Sequence, residues 1–236
     1  MKTIAIILAG GIGQRMGSSI PKQFIEVKGK PIIIHTIENF ERNPRIDSVL
    51  VVCNPEWVDH IKELIRKFEL KKVEWVVDGG KTSHDSTRNG IFSLKEILGP
   101  DDFVVIHDAV RPILPQKAID DMLEVAYKEG NASLAIPCYE TVIYTDDQIS
   151  GTEELDRNKL MRVQTPQAYR YSQILPLYEK AEQEGRHDFV YADLVAINYG
   201  VRIFFSHGFI NNIKVTKPED IPLCEYLMGQ KEEQLL

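Results

Sequence analysis

The chain has few of the features that mark secreted, zinc-stabilised or nucleic-acid-binding proteins. Its 236 residues include three cysteines, Cys53, Cys138 and Cys224, which are widely spaced and form no Cys-x-x-Cys pair. An odd number of scattered cysteines argues against a disulfide framework and a structural zinc site, and it favours a reducing compartment such as the cytosol. The formal net charge of −7 argues against a general nucleic-acid binder, which usually presents a basic face.

Long hydrophobic runs are also missing. The apolar run near the start, Thr3–Leu8, is too short for the core of a signal peptide and far too short to span a bilayer. Hydrophobic residues make up 43% of the chain and charged residues 27%, which is the usual balance of a globular protein. We therefore predict a single domain over residues 1–236, in a cytoplasmic protein that does not enter a membrane.

Short apolar runs alternate with stretches of helical periodicity. Several runs are apolar at consecutive positions, as expected for strands covered on both faces, and they span Thr3–Leu8, Ser48–Cys53, Val73–Val77, Phe103–Ile106, Ser133–Pro137 and Val201–Phe205. One-sided apolar patterns predict helices over Trp57–Phe68, Asp85–Leu98, Lys117–Glu129, Ser172–Glu184 and Ala192–Tyr199, with a last helix after Pro218. This alternation predicts a three-layer α/β fold with a mostly parallel, twisted sheet.

The alternation breaks between Tyr139 and Leu160. The apolar segment Thr141–Tyr144 and the polar segment Asp146–Ser150 predict a β-hairpin with a polar tip. We expect an extended β-arm over about residues 139–160, of the kind that reaches another subunit. A hairpin folded back on its own sheet is the alternative, and the sequence leaves both open.

A glycine-rich segment, Leu8-Ala-Gly-Gly-Ile-Gly-Gln-Arg-Met16, follows the first predicted strand. Glycines allow backbone N–H groups to approach phosphate oxygens. The dinucleotide pattern G-x-G-x-x-G fails at its third glycine, and Gly79-Gly-Lys-Thr82 fails as a Walker sequence because Trp75 occupies its first glycine position. Arg15 and Lys22 add two cations that suit a triphosphate, although a turn with two solvated cations is the alternative.

The segment from Leu8 to Phe24 resembles the signature of nucleotidyltransferases that activate sugar phosphates. More narrowly, it is similar to the family that contains 2-C-methyl-D-erythritol 4-phosphate cytidylyltransferase and ribitol-5-phosphate cytidylyltransferase. The similarity covers almost the whole chain in family order, through Asp78-Gly-Gly80, Asp85-Ser86, His107-Asp-Ala-Val-Arg-Pro112, Asp156-Arg-Asn158, Gln164-Thr-Pro-Gln167, Asn212-Ile-Lys-Val-Thr216 and Lys217-Pro-Glu-Asp220. It implies a Rossmann-like nucleotidyltransferase fold with a protruding β-arm. It also implies transfer of CMP from CTP to the phosphate of a sugar alcohol.

Such a transfer depends on cations, because the attacking phosphate is already ionised and needs no general base. The resemblance implies catalytic roles for Arg15, Lys22 and Lys214. It implies CTP contacts at Leu8, Ala9, Gly10, Gly11, Gly13, Gly80, Ser86, Asp108 and Ala109. It implies contacts with the acceptor at Asp108, Arg111, Thr141, Arg157, Thr165, Val190 and Lys214. For Arg111, a structural salt bridge is an equal alternative, and His107 is expected to be structural.

The resemblance also implies a cofactor and a second subunit. Magnesium is expected to arrive with CTP, with phosphates and water as most of its ligands and Asp108 as the candidate protein contact, directly or through water. The arm is expected to cross a homodimer interface, so that Thr141 and Arg157 approach the acceptor in a composite site. The expected small-molecule partners are CTP and a phosphorylated polyol.

Two departures from the family pattern bear on the substrate. The stretch Lys81-Thr-Ser-His84 lacks the arginine that the family places shortly before Ser86, and Arg88 is a possible substitute. Val190 and Tyr191 stand where a Thr-Asp pair normally opens a helix, with Asp193 displaced. The second departure leaves the identity of the acceptor open.

The subfamily signals conflict. Asp156-Arg-Asn158 and His107-Asp-Ala109 resemble the methylerythritol enzyme, whereas Arg162-Val-Gln-Thr-Pro-Gln167 and Pro31-Ile-Ile-Ile-His-Thr-Ile-Glu38 resemble the ribitol enzyme. Methylerythritol phosphate as the acceptor implies isoprenoid precursor synthesis and is slightly preferred from the sequence. Ribitol phosphate as the acceptor implies cell-wall or capsule synthesis. A non-catalytic nucleotide-binding dimer is a further alternative, which the joint presence of the three cations disfavours.

Overall fold

A seven-stranded sheet forms the centre of the protein, whose computed structural model describes residues 1–11 and 20–235. The strands are β1 (Thr3–Ala9), β2 (Glu26–Val27), β3 (Lys30–Pro31), β4 (Ser48–Cys53), β5 (Val73–Asp78), β6 (Phe103–Asp108), β7 (Asn131–Pro137), β8 (Val142–Tyr144), β9 (Glu153–Leu155), β10 (Met161–Arg170) and β11 (Phe205–His207). The large sheet has the order β11-β7-β10-β6-β1-β4-β5. Strand β10 is antiparallel to β6 and β7, while the other pairs of the large sheet are parallel.

Helices cover both faces of this sheet. They are α1 (Ile32–Arg42), α2 (Val58–Lys67), α3 (Ser83–Ser93), α4 (Gln116–Glu129), α5 (Tyr171–Gln183), α6 (Ala192–Asn198) and α7 (Asp220–Leu227). Alternate residues of β1 point to opposite faces: Ala5 and Ile7 join a cluster with α1, α2, α4 and α7, whereas Ile4 and Ile6 join a cluster with α3, α5 and α6. Burying each such isoleucine contributes roughly 1.5–3 kcal/mol. The three-layer α/β architecture with a mostly parallel sheet is confirmed.

The last strand of the sheet differs from the prediction. We expected a strand over Val201–Phe205, but β11 begins at Phe205 and pairs with β7 for only three residues. The side chain of Asn131 explains the difference, because its amide donates to the carbonyl of Arg202 (3.0 Å) and its oxygen accepts from the N–H of Phe204 (3.1 Å). These bonds replace strand pairing before Phe205.

Helix α3 begins two residues before the predicted Asp85. Thr82 caps it: the Thr82 hydroxyl accepts from the N–H of Asp85 and the Asp85 carboxylate accepts from the N–H of Thr82, both at 3.1 Å. This reciprocal cap satisfies two N–H groups that the first helical turn leaves without intrahelical partners. The cap fixes the chain that connects β5 to α3, and that connection borders the cavity described below.

The predicted hairpin is present as β8 and β9, which pair antiparallel with each other in a separate two-stranded sheet. Its apolar side chains Ile143, Tyr144 and Ile149 are exposed. The hairpin therefore does not extend the large sheet, whereas its contact with a second subunit stays a prediction. Across the described ranges, no helix combines the length and the apolar character needed to cross a bilayer.

Gly90 allows α3 to pack closely on the sheet. A Cβ atom built at this position lies 2.8 Å from Ile6 Cγ2 and 3.0 Å from Val52 Cγ2. We expect Gly90→Ala to lower the free energy of unfolding by about 1–3 kcal/mol, because the methyl group overpacks the core. Urea denaturation measures this change. Gly99→Ala is the matched control, since its Cβ meets only Asp102 Oδ2 at 3.6 Å, and equal stability of the two variants would contradict the packing argument.

Candidate active site

A cavity of about 220 Å³ lies at the carboxyl ends of the central parallel strands. Leu8 of β1 is in register with Asp108 of β6, and Ala9 is in register with Cys53 of β4, so these strand ends meet at one edge of the sheet. Ligands of open α/β sheets bind at such edges. The cavity is lined by Leu8, Ala9, Gly10, Gly11, Lys22, Gln23, Gly80, Lys81, Thr82, Ser83, Ser86, Asp108, Val110 and Lys214.

Most residues predicted for the nucleotide line this cavity. The set consists of Leu8, Ala9, Gly10, Gly11, Lys22, Gly80, Ser86, Asp108 and Lys214. Arg15 and Gly13 lie outside the described residues. Ala109, Arg111, Thr141, Arg157, Thr165 and Val190 do not line it. The predicted site thus divides into a group that lines one cavity and a group, mostly assigned to the acceptor, that does not line it.

Gln23, which was not predicted as a site residue, anchors the segment of Lys22 to the end of β1. Its buried side-chain amide donates to the carbonyls of Ala9 (2.8 Å) and Gly11 (2.9 Å). Phe24, the next residue, stacks on Trp57 with ring centroids 5.0 Å apart. These two anchors hold the short helical turn at residues 22–24, which brings Lys22 to the cavity. Gln23 lies within the family-like segment from Leu8 to Phe24, but in this part of the segment only Lys22 was interpreted.

Small residues are required where the first loop meets the start of α3. A Cβ on Gly10 would lie 2.8 Å from Ser86 Oγ, and one on Gly80 would lie 2.1 Å from Asp85 Cβ. The Ser86 hydroxyl accepts from the Gly80 N–H (3.1 Å) and donates to the Thr82 carbonyl (3.0 Å). Close packing therefore accounts for these glycines, which also line the cavity.

Asp108 forms the charged centre of the site. Its carboxylate lies 3.1 Å from Lys214 Nζ and accepts a hydrogen bond from Arg111 Nε at 3.0 Å. Burial opposes ionisation of this carboxyl group, but Lys214 and Arg111 outweigh burial and lower the pKa of Asp108 to about 2. Asp108 is therefore an anion at neutral pH.

Two residues that do not line the cavity, Arg111 and Thr165, form hydrogen bonds with Asp108. Arg111 is buried and also donates to the carbonyl of Asn212 at 2.7 Å. The hydroxyl of Thr165 accepts from the backbone N–H of Asp108 at 3.3 Å. These contacts favour the salt-bridge alternative for Arg111, because both of its partners lie within the protein.

Lys81 was missed by the sequence interpretation, which looked to Arg88 for the missing family arginine. Arg88 instead lies 2.6 Å from Glu182 and 3.4 Å from Asp85, so its guanidinium is held by these acids. Lys81 is exposed and lines the cavity. Within the described ranges, no carboxylate lies within 4.0 Å of its ammonium group. Its place in Gly79-Gly-Lys-Thr82, which was discarded as a false Walker sequence, was the available signal.

Thr141 and Arg157 lie on the arm segment, away from this cavity. Arg157 is exposed and donates to the carbonyl of Tyr139 at 2.9 Å. It lines a separate cavity of about 390 Å³ together with Asn158 and Met161. A single chain therefore does not bring the arm residues to the cations at the strand ends.

The departure at Val190 and Tyr191 places a different residue near the site. The side chain of Val190 is exposed. Tyr191, the residue before α6, places its hydroxyl 3.4 Å from Lys214 Nζ, and its ring centroid lies 5.4 Å from the same nitrogen. From the sequence, Tyr191 was noted only as a departure from the family's Thr-Asp pair. Of Val190 and Tyr191, it is the one that contacts a candidate catalytic lysine.

The arrangement suits a polyanion more than nucleophilic or acid–base catalysis by the protein. The described cavity lining contains three lysines and one carboxylate, with no histidine or cysteine. Lysines and the backbone N–H groups of a glycine-rich loop neutralise phosphate charge and stabilise charge that develops during phosphoryl-group chemistry. The geometry therefore supports binding and activation of a nucleoside triphosphate.

The family model for 2-C-methyl-D-erythritol 4-phosphate cytidylyltransferase matches residues 3–230. A ribitol-5-phosphate cytidylyltransferase of Lacticaseibacillus paracasei is 39% identical, over 97% of this chain and 98% of that protein. A 2-C-methyl-D-erythritol 4-phosphate cytidylyltransferase of Syntrophus aciditrophicus is 36% identical, over 99% of each chain. The crystal structure of 4-diphosphocytidyl-2C-methyl-D-erythritol synthase from Anaerococcus prevotii superimposes with a TM-score of 0.80, at 25% identity over 97% of this chain and 99% of that chain.

His107 makes the free energy of unfolding depend on pH. It is fully buried, its Nε2 lies 3.0 Å from the Arg111 carbonyl, and its ring packs on Phe40. Burial lowers its pKa from 6.5 to about 4. Between these values the unfolded chain binds a proton that the folded chain does not, so stability present above pH 6.5 is lost as the pH falls towards 4.

We expect His107→Gln to flatten the fall in unfolding free energy between pH 6.5 and 4, by about 3 kcal/mol over the whole interval. Urea denaturation at several pH values measures this slope. His207→Gln, at an exposed position, is the matched control. If His107→Gln and the control followed the wild-type slope equally, burial of a neutral His107 would be ruled out as the cause.

Proposed function

The chain belongs to the family of 2-C-methyl-D-erythritol 4-phosphate cytidylyltransferases, and on that basis we propose that it transfers CMP from CTP to the phosphate of a small sugar alcohol, with ribitol 5-phosphate as the first candidate acceptor. The observation that carries this proposal is the cavity at the ends of β1, β5 and β6. Lys22, Lys81 and Lys214 line this cavity together with Asp108, which is the one carboxylate in its described lining and is ionised.

The transfer needs no proton from the protein. An ionised oxygen of the acceptor phosphate attacks the α-phosphorus of CTP, the bond between this phosphorus and the bridging oxygen breaks, and pyrophosphate leaves. Negative charge builds on the α- and β-phosphates during this step. Lys22 and Lys214 approach the cavity from different elements, so they can hold the two anions together and stabilise that charge. Arg15 is proposed to join them.

Two acceptors are supported by the relatives, and ribitol 5-phosphate is placed first for two reasons. The relative named for ribitol 5-phosphate is 39% identical, against 36% for the one named for methylerythritol phosphate. The segments Pro31–Glu38 and Arg162–Gln167 also resemble the ribitol enzyme. The family model and Asp156-Arg-Asn158 favour 2-C-methyl-D-erythritol 4-phosphate, which is retained as the second candidate.

Magnesium is proposed to enter with the nucleotide. Asp108 is the only carboxylate in the described lining of the cavity, and it is ionised but already paired with two cations. One such group fits Mg²⁺ that keeps water and phosphate oxygens as most of its ligands. When bound, the ion neutralises phosphate charge, while Asp108 orients it directly or through a water molecule.

A cytoplasmic homodimer is proposed as the working form. Its support is the position of the arm, whose exposed apolar residues Ile143 and Tyr144 suit contact with another copy. Thr141 and Arg157 lie on this arm and do not reach the cavity of their own chain. A second copy could bring them there, which would make each site composite.

The function is tested by measuring pyrophosphate release with CTP, magnesium and one candidate acceptor at a time. The acceptors are ribitol 5-phosphate, 2-C-methyl-D-erythritol 4-phosphate, glycerol phosphates and other alditol phosphates. We expect turnover with ribitol 5-phosphate. Lys22→Ala should lower kcat by about 10²-fold or more, because a charge-stabilising group is removed. Lys62→Ala, on the exposed face of α2, is the matched control. Turnover with methylerythritol phosphate alone would select the second acceptor, and no turnover despite CTP binding would favour a binding-only protein.

Lys81 is expected to bind the triphosphate of CTP. Loss of one charge-assisted contact is worth ~1.5–3 kcal/mol, so Lys81→Ala should weaken CTP binding at least ~10-fold. Isothermal titration calorimetry at two salt concentrations measures the affinity, and Lys81→Arg should restore most of it. Lys62→Ala again serves as the control. A CTP affinity unchanged in Lys81→Ala would show that Lys81 is a solvated surface residue.

A further inference from the structure

Lys214 is held between two side chains that arrive from different parts of the fold. Its Nζ lies 3.1 Å from the Asp108 carboxylate, at the end of β6. On the other side, the same nitrogen lies 3.4 Å from the Tyr191 hydroxyl and 5.4 Å from the centroid of the Tyr191 ring. The Tyr191 side chain thus offers Lys214 a hydrogen-bond acceptor, and the phenol oxygen is nearer to the ammonium group than the centre of the ring is.

The position of Tyr191 is fixed by a buried anchor two residues later. The carboxylate of Asp193 accepts hydrogen bonds from the hydroxyls of Ser133 on β7 (2.7 Å) and Tyr169 on β10. Burial raises the pKa of Asp193 despite these bonds. The Tyr191 carbonyl accepts from the Leu194 N–H at 3.1 Å, so the first turn of α6 connects Tyr191 rigidly to the sheet.

A lysine needs such support to act in a defined direction. Its ammonium group carries three N–H donors on a flexible stem, which loses rotamer entropy when the group is held in one orientation. Asp108 and Tyr191 can each accept one donor, which leaves the third for an anion in the cavity that Lys214 lines. A lysine held this way before the substrate arrives costs less reorganisation during the reaction.

We propose that Tyr191 is a positioning residue that holds Lys214 in its reactive orientation. The catalytic part of this inference rests on the proposed cytidylyl transfer, whereas the contact itself is a property of the free protein. Tyr191 acts through Lys214, and the ring and the hydroxyl have separable effects. Val190, the neighbouring residue assigned to the acceptor from the sequence, has no part in this role.

The first test uses the protein without ligands. In ¹³C-lysine-labelled protein, the ε-methylene signal of Lys214, assigned from its loss in Lys214→Arg, should show a ring-current shift from Tyr191. Tyr191→Leu should abolish the shift, and Tyr191→Phe should keep it, because only the hydroxyl is removed. A Lys214 signal that is the same in wild type and Tyr191→Leu overturns the proposal, whatever the enzyme's acceptor.

The second test measures coupling during turnover. Tyr191→Phe should lower kcat by about tenfold, the effect of one hydrogen bond to a charged group, with little change in KM for either substrate. In a Lys214→Ala background the same change should have no further effect, since the group that Tyr191 positions is gone. Equal losses in both backgrounds, or a raised KM for the acceptor alone, would assign Tyr191 a direct contact with substrate and overturn the positioning role.

Tyr199→Phe is the matched control. Tyr199 follows α6, donates its hydroxyl to Glu184 at 2.7 Å, and has Lys180 Nζ 4.7 Å from its ring centroid. It therefore repeats the tyrosine–lysine contact away from the cavity and should leave kcat unchanged. If the wild type turns over no acceptor while the Lys214 signal responds as expected, the proposed function fails and the contact stands.

Discussion

The buried carboxylate of Asp108 is the constraint on which the rest of the site depends. Removing a carboxylate from water costs several kcal/mol unless cations and hydrogen bonds compensate it. Arg111 and Lys214 provide that compensation here. Because Arg111 also binds the carbonyl of Asn212 (2.7 Å), the charge cluster fixes a segment after β11 that has no regular structure of its own. The same interaction thus holds the end of a central strand and delivers Lys214 to the cavity.

The two cations that pair with Asp108 differ in their exposure. Arg111 is enclosed, with both of its hydrogen-bond partners inside the protein, whereas the Lys214 side chain stays 31% exposed. The lysine can therefore exchange part of its contact with Asp108 for a phosphate, while the arginine keeps the carboxylate from being left unpaired. Had both cations faced the cavity, binding an anion would have exposed Asp108 to an uncompensated burial cost.

The sequence identified most of the residues that line the cavity, because they follow strands with strong local signals. Leu8 ends an apolar run and Asp108 follows another by two residues, and the pairing of β1 with β6 as parallel neighbours brings these positions together. Strand β10 was missed because Gln164, Thr165 and Gln167 interrupt its pattern. Gln164 and Thr165 are tolerated inside the sheet because they have partners distant in sequence: Gln164 donates to the Phe209 carbonyl at 2.9 Å, and Thr165 accepts from the Asp108 N–H at 3.3 Å. Such partners have no local signature.

The position of Tyr191 depends on contacts between distant parts of the chain, which explains why Val190 was assigned to the acceptor and Tyr191 was not. Residue spacing alone places both at the start of a helix. Only the anchoring of Asp193 to Ser133 and Tyr169, across two strands, decides which of them faces Lys214. A phenol that contacts the lysine also occupies space beside it. In the proposed transfer, Tyr191 would therefore set both the orientation of Lys214 and the volume left for an acceptor.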